Sequence, residues 1–215
     1  MRIAIGIYER FTSLDAMGPF QVLSSLPGAE VTFVAEKAGP VLDESGFLTV
    51  TARAAFDDLP DPDILLVPGG IITGTLVPDH PVVGWIARAH RTTTWTTSVC
   101  TGALLLAGAG VLNGVEATTH WGAMDELARL GAVPVRERVV RRGKIVTAAG
   151  VSAGIDMALT LAGAIYGPEL AQTLQLAMEY DPAPPYDTGS PEKAGPATVE
   201  RALTSMAAVM QNLLA

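Results

Sequence analysis

The chain has 215 residues, of which 49% are hydrophobic and 17% charged, so it is long enough and apolar enough for one compact domain with a large core. Its formal net charge of −8 argues against a nucleic-acid-binding surface, and no apolar run is long enough to cross a membrane. The single cysteine, Cys100, cannot form an intramolecular disulfide, which favours a reducing compartment. We therefore expect a single cytoplasmic domain over residues 1–215, without a signal peptide.

Strands and helices alternate over the first half of the chain. Apolar runs predict three strands, at Arg2–Tyr8, Glu30–Glu36 and Asp63–Gly70. Helices are predicted from Leu14 to about Leu26, with a restart at Pro19, and from Pro81 to about His90. Thr12 or Ser13 can cap the first of these helices. The turn-rich residues 39–55 contain two short β-like runs and predict a hairpin.

The second half continues the alternation and then becomes helical. A β-branched run predicts a strand that ends at Cys100, followed by a helix that ends near Gly108. The elements predicted after it are a strand end at Thr118–His120, a helix at Trp121–Leu130, a hairpin at Arg138–Ala148, and helices at Ala153–Tyr166, Pro168–Glu179 and Ala197–Leu213. The proline-rich segment Tyr180–Pro191 predicts no regular structure.

This alternation predicts an α/β fold: a doubly wound, mostly parallel sheet with helices on both faces. In such sheets, ligands bind beyond the carboxyl ends of the strands. Three features fall at that edge, namely the pair Gly69 and Gly70, the pair Cys100 and Thr101, and the loop that precedes Asp15.

Cys100 stands where the β-branched run changes into a Leu- and Ala-rich helix former. A residue on such a strand-to-helix turn is held on a strained bend above the sheet, as in a nucleophile elbow. The helix N-terminus also favours thiolate over thiol, so we expect a reactive Cys100. The alternative is that Cys100 is a small buried hydrophobe, which is common for a free cysteine.

A nucleophilic thiol needs a partner that handles protons. Asp15 follows the first strand and is expected near the same crevice, although a carboxylate in the first turn of a helix also has a purely electrostatic explanation. To share a proton with the thiol, Asp15 needs a raised pKa, and burial near the thiolate would raise it. His120 could also approach the site, or it could be a hydrogen-bonded structural residue.

Further polar groups lie at the same edge. The backbone N–H groups of Gly69 and Gly70 can approach a ligand as an oxyanion-type donor pair, or the two glycines can simply end a strand. Thr101 can donate its hydroxyl to the thiolate or to the substrate, or it can cap the following helix. Three histidines without clustered spacing and one cysteine give no metal-site pattern, and no phosphate-binding loop is present.

Five sequence motifs occur together in one order. They are Leu14-Asp15-Ala16-Met17-Gly18-Pro19-Phe20-Gln21-Val22-Leu23, Leu66-Val67-Pro68-Gly69-Gly70, Ser98-Val99-Cys100-Thr101-Gly102, Ala117-Thr118-Thr119-His120-Trp121 and Ala149-Gly150-Val151-Ser152-Ala153-Gly154-Ile155-Asp156. With them, the chain resembles the ThiJ/PfpI superfamily, within the class I glutamine amidotransferase-like fold, over roughly residues 1–190. The branch that it resembles most is that of the isonitrile hydratases, and the segment Tyr180–Asp187 is similar to that branch as well.

The resemblance implies a homodimeric, flavodoxin-like domain with Cys100 as the nucleophile. Many superfamily members carry Glu at the position of Asp15 and His at the position of Thr101, whereas the pair found here is similar to the hydratase branch. This difference weakens any transfer of protease, amidotransferase or glyoxalase-type activity.

The reaction implied by the resemblance is the hydration of an isonitrile to an N-substituted formamide through a covalent thioimidate on Cys100. Asp15 is expected to act as the general acid and base, and Thr101 to orient the nucleophile or water. Backbone N–H groups of Gly69, Gly70 and Ile71 are expected to position the substrate. The reaction needs no cofactor or metal, because the substrate is already electrophilic and no electrons are transferred.

Two other classes of function remain open at this point. The Thr-His-Trp and Ser-Val-Cys-Thr-Gly motifs also resemble the ligand-sensing domains of AraC-type transcription regulators, which carry a separate DNA-binding module. Alternatively, Cys100 is oxidised in a redox-responsive protein, or serves another thiol hydrolase of the same superfamily.

Overall fold

The computed structural model describes residues 1–214. The strands are β1 (Arg2–Gly6), β2 (Glu30–Ala35), β3 (Gly39–Leu42), β4 (Thr49–Ala52), β5 (Ala54–Ala55), β6 (Ile64–Val67), β7 (Trp95–Val99), β8 (Glu116–Ala117), β9 (Val133–Pro134), β10 (Val139–Arg142) and β11 (Ile145–Ala148). The helices are α1 (Ser13–Leu23), α2 (Thr73–Leu76), α3 (Pro81–Ala89), α4 (Gly102–Gly108), α5 (Met124–Arg129), α6 (Ala153–Tyr166), α7 (Pro168–Ala177), α8 (Pro191–Ala194) and α9 (Pro196–Leu214). None of the helices within residues 1–214 has the length and apolarity needed to cross a membrane.

Seven strands form the central sheet, in the order β10-β11-β7-β6-β1-β2-β5. All neighbouring pairs are parallel except β10 with β11, so the predicted, mostly parallel sheet is confirmed. Helix α1 packs against α6, and α3 packs against α4. The connection from β1 to β2 and the connection from β6 to β7 run in opposite directions along the sheet. Because parallel crossovers are right-handed, these connections place the two helix pairs on opposite faces.

The order of the strands reverses between β1 and β6. From β1 the chain proceeds to β2 on one side, and from β6 it proceeds to β7 on the other. Such a switch point opens a crevice beyond the carboxyl ends of the strands. Strands β1, β6 and β7 are almost entirely buried there, so the segments that follow them are fixed by the core.

Helix α1 continues through Pro19, so the predicted restart at this residue is wrong. A proline inside a helix lacks one hydrogen bond and needs room for its ring. Gly154 of α6 provides this room because it has no side chain. A Cβ atom at that position would lie 3.0 Å from Cγ of Pro19. Thr12 occupies the N-cap position, but its side chain makes no capping hydrogen bond.

Other differences from the sequence prediction involve short elements. The strand end predicted at Thr118–His120 is wrong, because the strand in this region, β8, already ends at Ala117. It pairs with β9 in a separate sheet. The helix predicted from Trp121 consists of a 3₁₀ turn, Trp121–Ala123, and the shorter helix α5. The hairpin predicted within residues 39–55 is confirmed as β3 with β4, and the second hairpin as β10 with β11.

Candidate active site

Cys100 lies on a sharp turn between β7 and α4, with a φ of 56°. This left-handed conformation is unusual for a residue other than glycine, and it needs support from its surroundings. The backbone N–H of Cys100 donates to the carbonyls of Ala148 and Ala149, at 3.1 and 3.0 Å. The hydroxyl of Thr119 donates to the carbonyl of Cys100 at 2.8 Å. The predicted elbow is therefore present and is held on both sides.

Asp15 reaches the elbow from the first turn of α1, and its side chain is completely buried. Its Oδ2 atom accepts a hydrogen bond of 2.9 Å from the N–H of Gly69. Its Oδ1 atom is buried without a hydrogen-bond partner among the described residues. A second bond, 2.8 Å from the N–H of Thr12 to the carbonyl of Gly69, ties the start of α1 to the end of β6.

The environment of Asp15 changes its proton affinity in the direction expected from the sequence. Burial raises its pKa from 3.8 to about 7, and the negative charge of Glu44 adds to the increase. The hydrogen bond from Gly69 and the neighbouring Cys100 thiol lower the pKa, but by less. A carboxyl group with a pKa near 7 can both accept and donate a proton at neutral pH, as a general acid and base must.

The backbone N–H groups at the start of α4 favour the thiolate of Cys100, as expected, but burial has the larger effect on its pKa. Burial of the thiol, which is 6% exposed, and the charge of Asp15 raise its pKa. Hydrogen bonds from the backbone N–H groups of Val151 and Thr101 and from the Thr101 side chain lower the pKa, but they do not outweigh burial. The resting cysteine is therefore a thiol that needs a base, and the carboxylate of Asp15 adjoins it.

Thr101 occupies the N-cap position of α4 but makes no capping bond with its side chain. Its hydroxyl instead accepts from the N–H of Gly70 at 3.0 Å and reaches the carbonyl of the same residue at 2.9 Å. Because this side chain also lowers the pKa of Cys100, Thr101 links the end of β6 to the nucleophile. The predicted capping role is therefore not observed, and the hydrogen bond from Thr101 to the thiolate or to the substrate stays a prediction.

Three consecutive backbone N–H groups after β6 hold side chains of the site. The N–H groups of Gly69 and Gly70 bind Asp15 and Thr101, as described above. The N–H of Ile71 donates to Oε2 of Glu44 at 3.3 Å. In this structure the three predicted substrate-positioning amides therefore engage the protein itself, and their contact with substrate stays a prediction.

Glu44 is a residue of the site that the sequence did not reveal. It lies in the loop between β3 and β4, where its backbone N–H donates to the carbonyl of Phe11 at 3.0 Å. This bond brings the loop to the turn that precedes α1, and therefore near Asp15. It lies in the turn-rich stretch Asp43-Glu44-Ser45-Gly46, where nothing local indicates a contact with Asp15.

A cleft of about 460 Å³ lies next to the elbow, on the side of Thr119 and Val151, and extends to residues 189–192, but Cys100 and Asp15 are not part of its lining. Its lining includes Thr119, Trp121, Val151 and Glu192. The end of the proline-rich segment thus forms one wall of the cleft. Arg136 of the opposite wall faces Glu192, with 3.8 Å between the charged groups.

His120 lines this cleft but does not hydrogen-bond to Cys100 or Asp15 in the described part of the chain. Its Nδ1 atom accepts from the N–H of Gly122 at 3.2 Å, and burial lowers its pKa. The ring lies against Gly150, where an added Cβ would come within 2.8 Å of its Cδ2 atom. His120 is therefore a neutral, hydrogen-bonded wall of the cleft.

A second cluster fixes the segment after α7. Arg138 donates to Oδ2 of Asp156 at 2.8 Å, and the hydroxyl of Tyr180 donates to the same oxygen at 3.0 Å. Asp156 lies in the first turn of α6, close to the turn that carries Val151. The cluster therefore joins the start of α6, β10 and the segment that follows α7.

Similarity to known proteins agrees with this architecture. Residues 1–164 match the DJ-1/PfpI family. An isonitrile hydratase of Pseudomonas putida is 43% identical over 202 residues, which make up 94% of this chain and 88% of that protein. The crystal structure of a ThiJ/PfpI family protein from Pseudomonas syringae superposes with a TM-score of 0.89 and 35% identity, over 98% of this chain and 87% of the other. A helix-turn-helix transcriptional regulator of Pseudomonas aeruginosa, CdhR, is 33% identical over 135 residues, which are 62% of this chain but only 40% of the regulator.

Proposed function

The chain belongs to the DJ-1/PfpI family, and we propose that it hydrates isonitriles to N-substituted formamides, with Cys100 as the nucleophile and Asp15 as the general acid and base. The observation that carries this proposal is the buried pair formed by the Cys100 thiol and the Asp15 carboxylate, whose pKa is near 7. Hydration of an isonitrile needs a nucleophile for carbon and one group that can both take and return a proton. This pair supplies both.

In the first half of the reaction, Asp15 removes the proton of the thiol while the Cys100 sulfur attacks the terminal isonitrile carbon. A carbon–sulfur bond forms, and the electron pair left on that carbon takes the proton back from Asp15. The product is a thioimidate in which the former isonitrile carbon carries one hydrogen. Oδ1 of Asp15, which has no other partner among the described residues, is the atom to which we assign this transfer.

In the second half, a water molecule attacks the thioimidate carbon while Asp15 takes one of its protons. Asp15 passes this proton to the substrate nitrogen. The hydroxyl group of the resulting adduct then loses the second water proton, which Asp15 transfers to the sulfur as the carbonyl forms and the carbon–sulfur bond breaks. The product is the N-substituted formamide, and the thiol is regenerated. No electrons leave or enter the substrate, so the proposed reaction requires no redox cofactor.

Thr101 is proposed to stabilise the negative charge on the sulfur through its hydroxyl. Gly69, Gly70 and Ile71 are proposed to bind the reacting end of the substrate through their backbone N–H groups. This requires that each of the three N–H groups exchange its present side-chain partner for the substrate, or share itself between the two.

The cleft beside the elbow is proposed to hold the substituent on the isonitrile nitrogen. Its volume of about 460 Å³ lies within the range of small-molecule binding sites. Trp121, Met124 and Val151 contribute apolar surface, whereas Arg136 and Glu192 contribute opposite charges. An uncharged aryl or bulky aliphatic group fits this lining better than an ionic one.

A homodimer is also proposed. Large apolar side chains are exposed at Phe47, Leu176 and Tyr186, which are 95%, 81% and 78% accessible. A second copy of the chain that covered these side chains would remove their apolar surface from water. Light scattering of the purified protein tests this proposal, and a monomer at working concentrations would contradict it.

The test of the reaction mixes the purified protein with an aryl isonitrile and follows the formation of the formamide. We expect turnover by the unchanged protein, none by Cys100→Ala, and a decrease of about 100-fold to 10,000-fold for Asp15→Asn, which lacks the acid and base. Thr97→Val serves as the control. Thr97 lies on β7, the strand that leads to Cys100, but its hydroxyl donates to the carbonyl of Leu65.

Two outcomes would contradict the proposed function. Turnover that persists in Cys100→Ala would exclude the cysteine as nucleophile. Absence of turnover in the unchanged protein, with Cys100 verified by mass spectrometry as reduced, would favour a ligand sensor or another thiol hydrolase. Ready conversion of Cys100 to the sulfinate by mild peroxide, without turnover, would instead favour a redox role.

A further inference from the structure

A buried chain of hydroxyl groups approaches Cys100 from the side of β6. Thr73, at the start of α2, is fully buried, and its Oγ1 atom lies 3.0 Å from Oγ1 of Thr101. On the other side, the same atom lies 3.3 Å from the hydroxyl of Tyr8. The Tyr8 hydroxyl donates its proton to the carbonyl of Pro68 at 2.9 Å, so toward Thr73 it can act only as an acceptor.

The carbonyl of Gly70 has more donors than it can accept. The backbone N–H of Thr73 donates to it at 3.0 Å. The Thr73 hydroxyl also reaches it, and the Thr101 hydroxyl lies 2.9 Å away. A carbonyl oxygen has two lone pairs, and the N–H of Thr73 occupies one. The two hydroxyl groups therefore compete for the second.

We propose that Thr73 is a positioning residue whose hydroxyl determines whether Thr101 can hydrogen-bond to the Cys100 sulfur. When Thr73 donates to the Gly70 carbonyl, the Thr101 proton is free to turn to the sulfur. When Thr101 donates to that carbonyl, the Thr73 proton turns to the oxygen of Thr101. The exchange is a rotation of two hydroxyl groups, and no covalent bond forms or breaks.

The exchange matters at the moment when Cys100 loses its proton. A neutral thiol is a weak acceptor, so the Thr101 proton is better placed on the Gly70 carbonyl. A thiolate is a strong acceptor, and the hydrogen bond from Thr101 stabilises it. Without the hydroxyl of Thr73, that bond would deprive the Gly70 carbonyl of its second hydrogen bond, although the N–H of Thr73 would still donate to it. Thr73 removes this conflict.

The chain offers a clean measurement, because Cys100 is the only cysteine. The rate at which iodoacetamide alkylates it at a fixed, neutral pH is proportional to the small fraction of thiolate. The Thr73→Val variant keeps the shape of the side chain and loses the hydroxyl. The bond that the variant lacks joins two neutral groups, the Thr73 hydroxyl and the Gly70 carbonyl. Since such a bond changes an equilibrium by roughly 2-fold to 10-fold, we expect alkylation to slow by about this factor. Thr73→Ser, which retains a hydroxyl, should restore the rate.

A merely structural role for Thr73 would affect folding without acting through Thr101. Thr97→Val is the matched control, because it removes an equally buried hydroxyl that donates 2.9 Å to the carbonyl of Leu65. Its alkylation rate should equal that of the unchanged protein. If thermal unfolding shows that Thr73→Val does not fold, Thr73→Ala replaces it, since it also lacks the hydroxyl.

The decisive comparison introduces Thr73→Val into a Thr101→Val background. If Thr73 acts through Thr101, the second substitution produces no further decrease in the alkylation rate. An equal decrease in both backgrounds, or an unchanged rate in Thr73→Val alone, would overturn the proposal. The inference rests on the proposed role of Cys100, but alkylation needs no isonitrile. If the alkylation rates of the variants follow the expected order but the unchanged protein does not hydrate isonitriles, the proposed reaction is refuted and the role of Thr73 stands.

Discussion

Burial of Asp15 should destabilise the folded protein at neutral and alkaline pH. The side chain is fully buried, and burial, with a contribution from the charge of Glu44, raises its pKa from 3.8 to about 7. A carboxyl group whose pKa rises on folding binds its proton more tightly in the folded state. The free energy of unfolding therefore falls as the pH increases from 3.8 to about 7, and the loss is complete above that range.

The size of the effect follows from the two pKa values. Each tenfold difference in proton affinity corresponds to about 1.4 kcal/mol, so ionised Asp15 lowers the free energy of unfolding by about 4 kcal/mol. Roughly 3 kcal/mol of this loss falls between about pH 5 and about pH 8, because at the lower pH the unfolded carboxyl is already ionised and the folded one is not. Asp15→Asn removes this pH dependence.

Urea unfolding of the unchanged protein and of Asp15→Asn, at both pH values, measures the difference. His80, His90 and His120 have lowered pKa values and titrate in the same range, but they contribute equally to both proteins and cancel. We expect the variant to be the more stable protein at the higher pH, although it is catalytically impaired. Equal pH dependence in the two proteins would refute the assignment of a raised pKa to Asp15.

Glu44 provides a second arm of this experiment. Its negative charge raises the pKa of Asp15, so Glu44→Gln should lower that pKa and reduce the loss of stability between the two pH values. The amide oxygen of glutamine can still accept the hydrogen bond from Ile71, so the loop keeps this contact. In the Asp15→Asn background the same substitution should leave the pH dependence unchanged.

Two further predictions concern the walls of the site. Gly69→Ala should reduce kcat by about 100-fold. The added Cβ would lie 2.6 Å from Oγ1 of Thr101 and 2.9 Å from Oδ2 of Asp15, so both side chains would have to move, and this disrupts the reacting geometry. Steady-state kinetics with an aryl isonitrile measures kcat, and an unchanged value would contradict the prediction. His120→Ala should reduce kcat by less than about 100-fold, which is below the contribution typical of a general acid or base. Because His120 lines the cleft, the substitution should mainly raise KM. A larger loss of kcat would assign His120 a proton-transfer role.

The main elements of the site could be predicted because they depend on local patterns. A β-branched run followed by a Leu- and Ala-rich stretch places Cys100 on a turn between strand and helix. The position of Asp15 just after the first strand, combined with the rule for the carboxyl ends of parallel strands, places it at the same crevice. Neither inference needs a side-chain contact, which is why both could be made from the sequence.

What could not be predicted depends on contacts between distant parts of the chain. Glu44 lies in a hairpin loop, and Thr73 begins a helix of four residues, so neither belongs to a long periodic segment. The raised pKa of Cys100 could not be predicted for a related reason. The helix N-terminus is visible in the sequence, whereas the extent of burial and the neighbouring charge, which outweigh it, depend on the complete fold.

The two glycines after β6 show why a predicted location does not by itself establish a role. The sequence predicts either an approach for the substrate or a simple strand end, and the structure gives the glycines a further reason to lack a side chain. An added Cβ at Gly69 would enter the space of Asp15 and Thr101, and one at Gly70 would lie 2.7 Å from the carbonyl of Arg10. Glycine is therefore required here by the crowding of the site itself. Because the same backbone segment holds both the acid and the hydroxyl donor, its geometry determines how both are aimed at the sulfur of Cys100.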